Sequence, residues 1–229
     1  MNRKTKNKHL KPYITLAIVV IAAVIAVAIA VTVYDACRDG DCVPTGVQST
    51  LSSLFLTDAE KRVNALEELE VPDYVNQDFI DPSRARTTER LTDLKSIVIH
   101  YTGNPGTTAE QNHRYFDRSD TLVCSHFLVG LDGEIIQCIP MHEQSAASNH
   151  RNVDTISIEI CHPDKTGKFN QATYDSAVKL AAWICSNTDL SGNDLIRHHD
   201  ITGKECPKYF VDNPDEWETF KKDVKNLIK

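Results

Sequence analysis

The sequence predicts a mixed α/β domain preceded by one N-terminal transmembrane helix. Three observations carry that prediction. Ile14–Val33 is a run of 20 residues without a charge, a Gly or a Pro. From Leu94 onward, short β-branched runs alternate with segments whose apolar residues recur at helical spacing. An Asp132-Gly133 pair stands between two of those runs, a strong hairpin signal.

The apolar run comes first. At about 1.5 Å rise per residue, a helix of that length spans about 30 Å, the hydrocarbon thickness of a bilayer. Arg3, Lys4, Lys6, Lys8 and Lys11 precede it, and the first acid, Asp35, follows it. The positive-inside rule then predicts a single-pass protein of the cell membrane, with residues 1–13 as a basic cytoplasmic tail and the remainder extracellular. A cleaved signal peptide is the competing reading. Its apolar region is usually about 7–15 residues, followed by a small-x-small site, and Val33-Tyr34-Asp35-Ala36 fits that poorly.

The next segment, residues 34–74, reads as a stalk containing one short helix. Thr57-Asp58-Ala59-Glu60 has the capping-box pattern, and Val63, Leu66 and Leu69 follow at helical spacing. Residues 73–93 are polar and irregular. Strands are then predicted at Leu94–His100, Val123–Gly130, Glu134–Ile139, Thr155–Cys161 and Asp194–His198. Helices are predicted at Thr107–Phe116, after Asn170 as cap, and from Pro214 to Leu227.

Composition narrows the function classes. The chain of 229 residues is 41% hydrophobic with a net charge of −7, which argues for a folded protein. Beyond the basic tail, 20 basic residues face 32 acidic ones. So acidic a body is a poor partner for nucleic acid. Of the seven cysteines, Cys37 and Cys42 could pair in the stalk, and Cys185 lies on the apolar stripe of a helix.

Cys206 stands apart because of its neighbours. The strand ending in His198 is followed eight residues later by this thiol, and another strand ends in His100. Two imidazoles and a thiolate make a plausible zinc set, and three protein ligands leave the fourth tetrahedral position open, as in catalytic sites. Spacing alone leaves unrelated surface or core histidines as an open alternative.

Four segments occur in order: His100-Tyr101-Thr102, Ser125-His126-Phe127-Leu128-Val129, Ile156-Ser157-Ile158-Glu159, and His198-x-Asp200 with Cys206-Pro207. Together they resemble the zinc-dependent N-acetylmuramoyl-L-alanine amidase family, which includes phage amidases and peptidoglycan recognition proteins. The resemblance implies a central mixed β-sheet flanked by helices, within an amidase domain at 75–229. It implies zinc as cofactor, held by His100, His198 and Cys206 in a groove that binds peptidoglycan. The family's Gly-His-Arg-Asp stands here as Arg197-His198-His199-Asp200, and the spacing to Cys206 favours His198 over His199.

The resemblance also implies catalytic roles for Glu159 and Lys204. In the strand Thr155–Cys161, Ile156, Ile158 and Ile160 share one face, and Ser157, Glu159 and Cys161 share the other. Glu159 thus points away from the isoleucine layer, where a carboxylate could shuttle the proton of an activated water. Lys204 could stabilise the developing oxyanion. His126 matches a position near the groove and is expected to bind substrate. Ser125 stands where some branches have tyrosine. The implied activity is hydrolysis of the amide between the lactyl group of N-acetylmuramic acid and L-alanine of the stem peptide. A non-catalytic recognition module and a cysteine peptidase using Cys206 are the alternatives.

Overall fold

The computed structural model describes residues 19–21, 24–29 and 56–229. Two compact units divide the chain, Met1–Leu56 and Thr57–Lys229. In the first, the described residues are helical at 19–21 and 24–29. Among the described residues no helix is long and apolar enough to cross a membrane. This finding overturns the transmembrane helix expected at Ile14–Val33. The membrane partner, the single-pass placement and the cytoplasmic N-terminus drawn from that helix go with it. The rest of 14–33, the stalk residues before 56 and the proposed Cys37–Cys42 pair lie outside the described residues.

The second unit is built on one six-stranded sheet. Its elements run α1 (Asp58–Glu68), β1 (Val75–Gln77), β2 (Ser96–Tyr101), α2 (Ala109–Phe116), β3 (Phe127–Val129), β4 (Ile135–Gln137), a 3₁₀ turn (Asn149–Arg151), β5 (Thr155–Ile160), α3 (Gln171–Ser186), β6 (Leu195–Arg197), α4 (His198–Thr202), α5 (Lys208–Asp212) and α6 (Pro214–Leu227). The strand order is β1-β4-β3-β5-β2-β6. Only the β3–β4 pair is antiparallel. It is the hairpin predicted at Asp132-Gly133, and Gly133 takes the φ of +83° that a side chain would resist. The mixed sheet flanked by helices is the fold the resemblance implied.

The central strands β2 and β5 are buried on both faces, as expected where helices cover both sides of a parallel array. Ile97, Ile99, Ile156, Ile158 and Ile160 pack into the larger core with Ala177, Ala181, Phe210, Trp217 and Phe220 from the helices. Removing one such isoleucine side chain from water contributes about 1.5–3 kcal/mol. The opposite face carries a smaller cluster, in which Leu128 and Ile136 meet Ala109 and Phe116 of α2. The functional side chains lie on this second face.

Some elements differ from the sequence expectation. The capping box at Thr57 and Glu60 forms as predicted. Yet α1 buries Val63 and Leu66 in the larger core, alongside the isoleucines of the sheet. Strand β1 falls within the stretch read as irregular. Only Val75 of its three residues is buried, so no alternation marks it. Helices α4 and α5 are too short to show a period.

Candidate active site

β2 and β5 pair in parallel with His100 opposite Glu159. Both side chains therefore project from the same face of adjacent strands, the face opposite the isoleucines. His100 Nδ1 lies 3.9 Å from Glu159 Oε1 and 3.9 Å from Cys206 Sγ. The ring of His198 sits 4.7 Å from that of His100 between centroids. One ligand atom each from His100, His198 and Cys206 falls within 4.8 Å of the other two, and all three residues are buried.

The segment from His198 to Cys206 folds back because each turn of it is tied. Arg197 pairs with Asp200 at 2.7 Å and donates to the Phe210 carbonyl at 3.0 Å. One turn of helix follows, capped by Gly203 at φ +76°. His199 N–H then donates to the Cys206 carbonyl at 2.8 Å, and His199 Nδ1 donates to the Lys204 carbonyl at 3.0 Å. His199 thus staples the loop that delivers the thiol, while His198 joins the cluster.

The electrostatics of the donor set fit a soft divalent metal. Burial holds the His100 imidazole well below its usual range, helped by His198 and Lys204. Burial, with Lys204, also lowers His198. Both rings are therefore neutral near pH 7, as ligation requires. Burial pushes the Cys206 thiol up to about 12, and the nearby Glu159 charge adds to the rise. A nucleophilic cysteine needs a depressed pKa and access, so the cysteine-peptidase alternative lacks support. His₂Cys is a donor set that suits zinc with an open fourth position.

Glu159 is the other unusual group. Desolvation pushes its carboxyl up to about 8, against a lowering pull from Lys204. Its Oε2 is buried and has no hydrogen-bond partner. A groove of about 1480 Å³ has Glu159, His198, Lys204 and Cys206 in its wall. Tyr115 and Leu122 form an apolar part of the rim. Lys204 is exposed there, and its charge reaches His100, Glu159, His198 and Cys206.

His126, expected to touch substrate, lies elsewhere. It is fully buried. Its Nδ1 accepts from the Ser157 backbone N–H at 3.0 Å, and its Nε2 donates to the Glu143 carbonyl at 2.9 Å. Both ring nitrogens are taken by the protein, so the ring braces β3 against β5 and offers nothing to the groove. Sequence reasoning missed Ser148 and Asn149. Asn149 Oδ1 lies 2.9 Å from His198 Nε2, and Ser148 Oγ lies 3.4 Å from His100 Nε2. No spacing rule marks them, because they reach the histidines from a separate turn.

Comparison with known proteins follows this geometry. The family model described as N-acetylmuramoyl-L-alanine amidase matches residues 90–209. The chain is 30% identical over 156 residues to the N-acetylmuramoyl-L-alanine amidase CwlL of Bacillus licheniformis, covering 61% of this chain and 43% of that protein. It is 31% identical over 157 residues to BlyA of Bacillus subtilis (strain 168), covering 59% and 42% respectively. The chain thus spans less than half the length of these curated relatives. Among solved structures, the catalytic domain of XlyA superposes with a TM-score of 0.58 at 30% identity, over 66% of this chain and 98% of that one. PlyL shares the fold with a TM-score of 0.59 at 24% identity, over 66% and 96%.

Proposed function

The chain belongs to the N-acetylmuramoyl-L-alanine amidase family, and from that premise we propose that it hydrolyses the amide joining the lactyl group of N-acetylmuramic acid to L-alanine of the peptidoglycan stem. The observation that carries this reading is the buried His100, His198 and Cys206 cluster beside Glu159, at the wall of one open groove.

His100, His198 and Cys206 would hold zinc. When bound, it supplies Lewis acidity that activates water and polarises the scissile carbonyl. Glu159 takes the proton of the attacking water on its carboxylate and returns it to the leaving nitrogen of L-alanine. Desolvation raises that carboxyl in the metal-free protein, and a divalent charge nearby favours the carboxylate that must accept the proton. Lys204, on the groove wall, places a positive charge where the oxyanion develops. His199 keeps the loop of Lys204 and Cys206 in register through its two bonds to that loop.

The test is direct. Purified protein is incubated with peptidoglycan, with and without a chelator, and the new ends are identified. The reading expects free L-alanine amino termini, no new reducing sugar ends, and loss of turnover with the chelator that zinc restores. Tight binding without any new amino terminus would instead establish a non-catalytic recognition module.

A further inference from the structure

The turn before β5 carries a second group of residues aimed at the metal ligands. Asn149 has a φ of +55°, in the left-handed region that asparagine tolerates better than most residues. The backbone around it is heavily tied. Arg151 N–H donates to the Ser148 carbonyl at 3.0 Å, and Asn152 N–H to the Asn149 carbonyl at 3.1 Å. Asn152 Oδ1 accepts the Ser148 N–H at 2.6 Å. Arg151 pairs with Asp154 at 2.6 Å and donates to Ser96 Oγ at 3.2 Å. The turn is therefore fixed to β2 and to the start of β5, the two strands that carry His100 and Glu159.

We propose that Asn149 is a positioning residue of the metal centre, holding His198 through the ring nitrogen that does not face the metal. The chemistry of the ligand dictates the polarity of the contact. A metal-binding imidazole is neutral and carries its one proton on the nitrogen opposite the ligating one. Nε2 of His198 meets Asn149 Oδ1 at 2.9 Å, so Nε2–H donates and the lone pair of Nδ1 is left for the metal. The same arrangement recurs at His100. Its Nδ1 faces Cys206 and Glu159, and its Nε2 faces the fully buried Ser148 hydroxyl. Adjacent residues of one turn thus orient both rings from outside. The left-handed backbone at Asn149 is the strained feature that turns its short side chain toward His198. Lost partners of this kind cost about 10–100-fold in metal affinity.

This inference rests on the zinc centre of the reading above, and its test reads metal binding rather than turnover. Two variants separate backbone from side chain. Asn149→Gly accepts the positive φ and removes the acceptor. Asn149→Asp keeps an acceptor of the same size. Zinc affinity is measured by competition with a chromophoric chelator, and the cobalt-substituted proteins are compared by visible absorption. Asn149→Gly is expected to bind zinc about 10–100-fold more weakly, with an altered cobalt spectrum. Asn149→Asp is expected to restore both to wild-type values or better. Unchanged zinc affinity in Asn149→Gly overturns the proposal, as does an Asn149→Asp variant as weak as the glycine variant. Should Asn149→Gly not fold, Asn149→Ser, whose shorter side chain does not span the contact to His198, takes its place: weakened zinc binding supports the assignment and unchanged affinity sinks it. Wild-type protein that binds no zinc would remove the metal centre itself. That result is distinct from a zinc-binding protein indifferent to Asn149.

Discussion

Glu159 and His126 are both singled out by resemblance to family positions, and strand alternation bears on Glu159 alone. The resemblance implies the role of Glu159, the odd–even pattern of its strand gives its face, and the structure sets it opposite His100 with a buried Oε2 that has no hydrogen-bond partner. Glu159→Gln keeps the volume and removes the proton acceptor, so it should retain zinc and lose turnover by about 10²–10⁴-fold. Near-normal rates with bound zinc would remove Glu159 from the chemistry. For His126, a match to a family position carried no information about burial. Its pKa is lowered to about 4, with desolvation as the main cause. The unfolded ring takes up a proton near 6.5, whereas the folded ring refuses it until about 4. Its contribution is therefore complete above pH 6.5 and is lost as pH falls toward 4, by about 3 kcal/mol in all. Denaturant unfolding of metal-free protein at pH 7 and pH 5 should show that slope, and His126→Gln should flatten part of it. An unchanged slope would mean the ring is not held neutral in the fold.

At the scale of elements, strong periodic signals were legible and short ones were not. The cap at Asn170 and the apolar stripe of α3, and the Pro214 start of α6, are where the pattern placed them. The hairpin formed at its Asp-Gly pair, but β3 and β4 are each three residues long, shorter than the apolar runs that predicted them. Those runs mark burial, which extends past the hydrogen-bonded ladder to Cys124 and Ile139. The one-turn helix α4 was invisible because it is held by Arg197–Asp200 and the His199 bonds rather than by periodicity. Helix α1 was recognised by its cap, but nothing local tells whether its apolar stripe meets the sheet. In the structure Leu66 is 3% exposed within the larger core. Leu66→Ala should therefore cost about 2–5 kcal/mol of global stability. A loss under about 0.5 kcal/mol, the level of ordinary surface changes, would show that α1 is not part of the cooperative unit.

Across the whole molecule, the metal centre joins segments that are far apart in the chain: β2, the start of α4 and the loop after Gly203. Such a set exists only in the folded state, so zinc binding and folding are linked, and at a free concentration 1,000 times Kd the fold gains about 4 kcal/mol. The pKa pattern of the centre adds a proton count to that linkage. His100 and His198 are held below their usual range, so they have no proton to give up at pH 7. Cys206, pushed up to about 12, is a thiol there and must ionise to ligate. Glu159, raised to about 8, also holds its proton at pH 7, and a divalent charge a few ångströms away favours the carboxylate. Zinc binding at pH 7 should therefore release at least two protons, one each from the thiol and Glu159, with part of a third from water in the open position. Above pH 8 Glu159 is already ionised in the metal-free protein and no longer contributes to the count. Glu159→Gln should release about one proton fewer than wild type at pH 7 and the same number well above pH 8, whereas Cys206→Ser should lose most of its metal affinity. Titration calorimetry in buffers of different ionisation enthalpy measures the count. A value near zero at pH 7 would show that the thiol is not a ligand, and equal counts in wild type and Glu159→Gln at pH 7 would show that Glu159 does not sense the metal.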